Sequence, residues 1–316
     1  MLFQKWWFLR SVLKYGSPCI APLERRSVHK LGKQLPEHPC LFIIGPPRSG
    51  STIFYQLISS LLDISYVDNL ANLARENPYM GNQLSQRFFG SRAHSSYSSE
   101  YGQTTASGLH APAEALFFYK WFPDRHFTLA SDLSSKQAGE FRQTIFAMIN
   151  RANKAMVIKN LSFSLRIQAL KKILPDAKYI VVLREPLYTA QSMLQAMRKN
   201  KHPENKVWSI HPRNYKELEK LDLHEMVVKQ VNQIERQIAE DLRSIPEENI
   251  LYVEYEEMGG QLKSIIDDVN KLAGPSVKRR SDIPLPEIQV KNRITLPEEE
   301  IALLKKHIKV LEWELH

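Results

Sequence analysis

The sequence is poor in cysteine and has no long apolar run, and both absences narrow the class of protein. Its 316 residues contain two cysteines, Cys19 and Cys40, too few for the disulfide framework of a small secreted domain. Cys40 opens an apolar stretch, where a buried free thiol is the expected state. No stretch reaches the roughly 20 apolar residues that a membrane-spanning helix needs. We therefore expect a cytoplasmic protein, with peripheral attachment to a membrane as an open alternative.

The sequence also lacks the patterns of several functional classes. It has no internal repeat and no convincing metal-ligand spacing, so we expect no metal. The formal charge of +9 and the pI of about 9.3 favour an anionic partner, such as a nucleotide, an acidic glycan, a membrane surface or a nucleic acid. Nucleic acid is disfavoured because there is no basic stripe with interleaved aromatic residues and no known binding motif.

Short apolar stretches that read as buried strands alternate with helical patterns along the chain. The strands are predicted at 41–44, 155–159, 177–183 and 249–255, and the helices at about 50–62, 138–152, 164–174, 186–198, 214–244, 260–272 and 298–314. This alternation predicts an α/β fold with three layers, in which helices flank a central, mainly parallel sheet with a P-loop-like nucleotide-binding core.

The ends and the middle of the chain suggest its domain organisation. Residues 1–39 are expected to form an amphipathic and basic arm, and residues 40–316 a single domain. Residues 1–16 read as a helix that either lies at a membrane surface or docks on protein, and residues 21–39 as a basic, proline-containing lead. The polar stretch 75–109 is expected to be a long loop on the substrate side, since loops of that length are usually functional.

The segment "GPPRSGST" predicts an anion-binding loop between a strand and a helix. Gly45 and Gly50 match the first part of the phosphate-binding pattern G-x-x-x-x-G-K-[ST], but Ser51 occupies the lysine position. Without that ammonium group an ordinary ATP-dependent kinase is disfavoured. The two prolines lack N–H groups, so the backbone donors begin at Arg48, at the positive end of a helix. Arg48 supplies charge, and Ser51 and Thr52 supply hydroxyls.

A second basic site is predicted where the strongest strand ends. Arg184 follows that strand, Pro186 suits the first turn of a helix, and Ser192 lies two turns inside it. Open α/β sheets bind ligands at the carboxyl ends of their strands. An arginine with a serine there is suited to a phosphate group. The sequence therefore predicts a site for two separated phosphates.

Together the two segments closely resemble the sulfotransferases that use 3′-phosphoadenosine 5′-phosphosulfate (PAPS), and the order of elements follows that family over about 40 to 275. The family's loop for the 5′-phosphosulfate, P-[KR]-S-G-[ST]-T, is matched by Pro47, Arg48, Ser49, Gly50, Ser51 and Thr52, and its 3′-phosphate motif by Arg184, Pro186 and Ser192. The resemblance implies PAPS as the donor, which has no γ-phosphate. It also implies that Arg48 stabilises the departing phosphate oxygen.

The resemblance further suggests residues for the acceptor side. Glu114 is the first candidate for the catalytic base and His110 the second, while a carboxylate placed by the helix dipole is the alternative role for Glu114. Lys159 matches a family lysine beside the transferring sulfonate, although Leu161 replaces the usual proline. Arg293 is a candidate for the basic residue that closes over the nucleotide.

The sequence thus predicts transfer of a sulfonate from PAPS to a hydroxyl, or an amine, of an acceptor. A glycan or glycolipid acceptor is favoured, with PAP (adenosine 3′,5′-bisphosphate) as the second product. A P-loop-type small-molecule kinase and a non-catalytic relative that binds nucleotide or membrane remain alternatives.

Overall fold

A computed structural model describes the chain over residues 2–97, 104–122 and 127–315. The strands are β1 (Cys40–Ile44), β2 (Ser65–Tyr66), β3 (Met156–Lys159), β4 (Lys178–Leu183) and β5 (Ile250–Glu254). The helices are α1 (Leu2–Leu31), α2 (Ser51–Leu61), α3 (Asn69–Leu73), α4 (Pro78–Phe89), α5 (Ser135–Ala152), α6 (Ile167–Ile173), α7 (Pro186–Lys199), α8 (Tyr215–Leu218), α9 (Leu223–Leu242), α10 (Leu262–Ala273) and α11 (Glu298–Lys309).

The strands form one parallel sheet in the order β2-β3-β1-β4-β5. β1 lies at its centre, where Phe42 is opposite Ile158 of β3 and Tyr179 of β4. The chain continues to one side of β1 through β2 and β3, and to the other side through β4. β1 therefore marks the point where the strand order reverses, which is where open α/β sheets place their ligands.

Alternate residues of the central strand pack on opposite faces of the sheet, as the period of a strand requires. Leu41 and Ile43 pack in a core with α2 and α10, whereas Phe42 and Ile44 pack in a core with α5, α6 and α9. A third apolar cluster joins α7, α9 and α11. The predicted three-layer arrangement of helices, parallel sheet and helices is confirmed.

Local structure departs from the sequence prediction in several places. The predicted helix 214–244 is divided into α8 and α9, and the strand β2 was not predicted. The polar stretch 75–109 contains the helix α4, with Pro78 in its first turn, where proline is tolerated; residues 98–103 of that stretch lie outside the described residues. The helix α1 does not end near residue 16 but continues to Leu31, with Pro18 and Pro22 inside it. The two helices concerned, α1 and α4, are in contact with each other.

A buried carboxylate fastens α1 to α4. Glu24 is buried, and its two oxygens accept hydrogen bonds from the backbone N–H groups of Tyr79 (3.0 Å) and Met80 (2.8 Å). These groups lie in the first turn of α4, where helical donors lack partners within their own helix. Burial raises the pKa of Glu24, against the opposing effect of the two backbone bonds. Asn77 adds a bond to the Ser17 hydroxyl of α1 at 2.8 Å.

Replacing Glu24 by alanine is expected to lower the free energy of unfolding by about 1.5–3 kcal/mol, because hydrogen bonds to a charged group are lost. Urea denaturation followed by circular dichroism measures this change. The exposed Glu37, which follows α1, provides the matched control, and Glu37→Ala should leave stability almost unchanged. Equal effects of the two substitutions would contradict a special role for Glu24.

Candidate active site

Three segments meet at the carboxyl ends of β1, β3 and β4. The loop from Gly45 to Gly50 follows β1, Lys159 is the last residue of β3, and Arg184 directly follows β4. A cavity of about 1260 Å³ lies there, and residues from all three segments line it. The parallel pairing of the strands thus brings together side chains that are far apart in sequence.

The loop after β1 adopts a backbone conformation that requires glycine at Gly50. Gly50 has φ 91°, and a Cβ atom built there would come within 2.3 Å of the Tyr255 ring. Arg48 also has a positive φ, 71°, a conformation that is uncommon and strained for a non-glycine residue. The Ser164 hydroxyl accepts from the N–H of Gly45 and donates to its carbonyl oxygen, both at 2.9 Å. The loop is therefore held at its start and at its junction with α2.

The two predicted phosphate motifs contact each other directly. Arg48 Nε donates to Ser192 Oγ at 2.9 Å, and Arg184 Nη1 donates to the carbonyl oxygen of Arg48 at 3.3 Å. All three residues line the same cavity. A single ligand can therefore contact both motifs.

Arg184 is buried and held in one orientation. Its Nε donates to Asn292 Oδ1 at 3.0 Å and its Nη2 to the carbonyl oxygen of Lys291 at 2.9 Å. The guanidinium also lies 4.7 Å from the centre of the Tyr255 ring, in a cation–π arrangement. Burial lowers the pKa of Arg184, while Tyr255 and Glu256 act in the opposite direction. Arginine nevertheless stays charged at neutral pH.

Residues 286–295 line part of the cavity and are fastened to α7. The Gln191 side chain donates to the carbonyl oxygen of Arg293 at 2.9 Å and accepts from the Thr295 N–H at 2.8 Å. Tyr255 accepts from the N–H of Lys291 at 3.1 Å. Only Arg293 of this segment was predicted from the sequence as a site residue. Its irregular, proline-rich pattern gives no signal for the other contacts, although Gln191 lies next to the predicted Ser192.

Lys159 connects the phosphate loop to Glu114. Its Nζ donates to Glu114 Oε1 at 2.5 Å and to Thr52 Oγ1 at 3.0 Å. The Lys159 side chain is 2% exposed, and that of Glu114 is 34% exposed at the cavity. Asn72 fixes the backbone around the carboxylate, donating to the Glu114 carbonyl oxygen at 2.6 Å and accepting from the Leu116 N–H at 3.1 Å. A fixed carboxylate therefore borders the space beside the loop.

Two predicted site residues do not line this cavity, namely His110 and Ser49. A ring nitrogen of His110 is 3.1 Å from an oxygen of the buried Asp68, and the ring stacks on Phe89 with centroids 4.1 Å apart. Ser49 is fully buried in the loop. The predicted residues that do line it are Pro47, Arg48, Gly50, Ser51, Thr52, Glu114, Lys159, Arg184, Ser192 and Arg293.

The cavity lining also includes side chains outside both motifs. Arg10 comes from α1, Arg75 follows α3, and Trp208 lies between α7 and α8. The side-chain Nε2 of buried Gln230 donates a hydrogen bond to the carbonyl oxygen of Trp208 at 2.6 Å. Arg75 belongs to the stretch 75–109 that was predicted to lie on the substrate side, but none of these three side chains was predicted individually.

Two further findings concern the described part of the chain. No group of three or more His, Cys, Asp or Glu side chains there is arranged to hold a metal ion. None of its helices combines the length and the apolar content needed to cross a bilayer.

Comparison with solved structures gives sulfotransferases at low sequence identity. Sulfotransferase STF1 from Mycobacterium tuberculosis H37Rv is 13% identical, with a TM-score of 0.49 over 95% of this chain and 79% of that one. Sulfotransferase STF9 from Mycobacterium avium is 14% identical, with a TM-score of 0.47 over 90% and 72%. A sulfotransferase from Alicyclobacillus acidocaldarius is 16% identical, with a TM-score of 0.44 over 86% and 96%.

A search of curated protein sequences gave no significant match. In contrast, the family model described as "Sulfotransferase family" matches residues 39–277, which is well over half of the chain. The matched range contains β1 to β5, the phosphate loop, Glu114, Lys159, Arg184 and Ser192. The chain belongs to the sulfotransferase family.

Proposed function

We propose that this sulfotransferase transfers a sulfonate group from PAPS to a hydroxyl group of a glycan or glycolipid. The observation that supports PAPS most directly is the contact between the two phosphate motifs, with Arg48 Nε 2.9 Å from Ser192 Oγ. The cavity of about 1260 Å³ exceeds the roughly 300–1,000 Å³ of a typical small-molecule site. It therefore has room for a nucleotide and part of an acceptor together.

The hydrogen-bond donors of the two motifs suit the two phosphate-bearing ends of PAPS. Arg184 would bind the 3′-phosphate. Ser192 accepts a hydrogen bond from Arg48, so its own hydroxyl hydrogen would donate to a phosphate oxygen. The other end would lie at the start of α2, where Ser51, Thr52 and the backbone N–H groups face the positive end of the helix dipole. Arg293, which lines the cavity, would add charge over the nucleotide.

The reaction moves the sulfonate from one oxygen to another. The acceptor oxygen forms a bond to sulfur, the bond between sulfur and the 5′-phosphate oxygen breaks, and PAP leaves. The acceptor proton passes to Glu114. Arg48 and Lys159 offset the negative charge that develops on the departing phosphate oxygen, by analogy with phosphoryl transfer. Fixed loops on a rigid sheet would hold the reactants in line.

The first test concerns the donor. PAP is expected to raise the melting temperature of the protein more than AMP does, because only PAP contacts both motifs, and more than ATP with magnesium does. A thermal-shift series with the three nucleotides measures this order. A larger stabilisation by ATP with magnesium would instead favour a small-molecule kinase, and equal shifts by PAP and AMP would contradict a 3′-phosphate site.

Arg184→Ala is expected to weaken PAP binding by more than about 1.5 kcal/mol, the lower end for a hydrogen bond to a charged group. Isothermal titration calorimetry measures the change. Arg198→Ala is the matched control, because Arg198 lies on α7 and pairs with Glu300 away from the cavity lining. Unchanged affinity in the Arg184 variant would remove this residue from the nucleotide site.

Glu114→Gln is expected to keep PAP affinity but to lower turnover at least about 100-fold, as for the loss of a general base. Turnover is measured by transfer of labelled sulfonate to an acceptor found by screening. His110→Gln should retain turnover, because His110 lies outside the cavity lining. The opposite pattern, in which only the His110 variant is inactive, would make His110 the base.

A further inference from the structure

The helix α1 has an exposed apolar stripe along one face. Val12 is 51% exposed, Tyr15 81% and Leu23 60%, and exposed Cys19 lies between them. The spacing of these four residues, at i, i+3, i+7 and i+11, places them on the same side of an α-helix. Exposed apolar side chains are unremarkable when scattered, but a continuous stripe indicates an interaction surface.

The orientation of this stripe is fixed by the opposite face of α1. Glu24 is buried against the start of α4, and Val28 and Leu31 pack against the main core. The helix is already docked on its own domain, so the stripe is not surface that still has to fold into the core. It points away from the protein.

Positive charge accompanies the stripe: Arg26 and Lys30 lie on the same side of the helix as the stripe, and Lys14 and Arg25 lie further round its exposed surface. Lys14, Arg25, Arg26 and Lys30 are exposed, and none of the four forms an ion pair within the described part of the chain. The single acidic residue in the sequence of α1 is Glu24, which is buried. The outward face therefore combines apolar side chains with cations and carries no carboxylate.

We propose that this face of α1, defined by Val12, Tyr15, Cys19 and Leu23 with Arg26 and Lys30, binds the surface of a bilayer that contains anionic phospholipids. Apolar side chains on one stripe and Lys or Arg beside it are the features of a helix that lies in the membrane interface. A second copy of the chain is a poorer occupant, because pairing the two faces would bring like charges together.

Binding in this orientation has a consequence for the cavity. Arg10 lies on the same helix, slightly before the stripe, and also lines the cavity. A docked α1 would therefore hold one wall of the cavity close to the lipid headgroups. If the proposed sulfonate transfer is correct, this geometry favours an acceptor that is itself carried by a lipid. The membrane contact does not depend on that function.

Co-sedimentation of the full chain with vesicles tests the proposal. We expect binding to vesicles of phosphatidylcholine mixed with phosphatidylserine, weak binding to phosphatidylcholine alone, and a decrease at high salt. Arg26→Glu combined with Lys30→Glu should weaken binding at least about tenfold, given the contribution of each basic residue near an anionic surface. The triple substitution Val12→Ser, Tyr15→Ser and Leu23→Ser should do the same. Val310→Ser, which removes an exposed apolar residue outside α1, should have no effect.

Equal binding to both kinds of vesicle, or wild-type binding by both α1 variants, would overturn the proposal. It would also be overturned if sedimentation velocity showed a dimer that the triple substitution dissociates while the wild type binds no vesicles.

Unchanged thermal stability and PAP binding in the variants show that the fold is retained. If the triple variant fails to fold, the charge-reversed variant and the salt dependence decide. Vesicle binding is measured without turnover, so its failure is distinct from a failure of the proposed function.

Discussion

One hydrogen bond, from Arg48 to Ser192, joins parts of the chain that are 144 residues apart. It depends on the pairing of β1 with β4, since these strands carry the two residues to the same edge of the sheet. It also depends on the strained backbone at Arg48 and on a helix that begins directly after β4. Arg184 and Gln191 make their hydrogen bonds to residues 291–295 next to this contact. The pairing of the strands therefore determines the distance between the two phosphate motifs.

The ion pair between Lys159 and Glu114 connects the phosphate loop to the part of the cavity proposed for the acceptor. A buried ammonium group is costly unless it is paired and hydrogen-bonded, and here Thr52 and Glu114 provide both partners. The phosphate loop and the candidate base are thus parts of one polar network. A change at Glu114 alters the surroundings of Lys159 as well as the acceptor site, because the lysine would lose its only charged partner among the described residues.

Local sequence patterns predict the main strands and the phosphate loop. The remaining structure depends on contacts between residues that are far apart in the sequence. The strands near Leu41 and Ile180, and the loop ending at Gly50, could be predicted because continuous apolar runs and glycine spacing are local signals. Helix α4 could not, since its first turn is stabilised by Glu24, 55 residues earlier. Nor could the contacts of residues 286–295, which depend on side chains from α7 and on Tyr255. The β2 strand has only two residues, too few to produce a periodic pattern.

The two cysteines differ in accessibility, and this difference has a practical use. Cys40 is buried in β1, and burial raises the pKa of its thiol, whereas Cys19 is exposed on α1. A maleimide dye added to the native protein would therefore react at one position without any engineered substitution. Because that position lies within the stripe, the emission colour of an environment-sensitive dye would report the polarity around the outward face of α1.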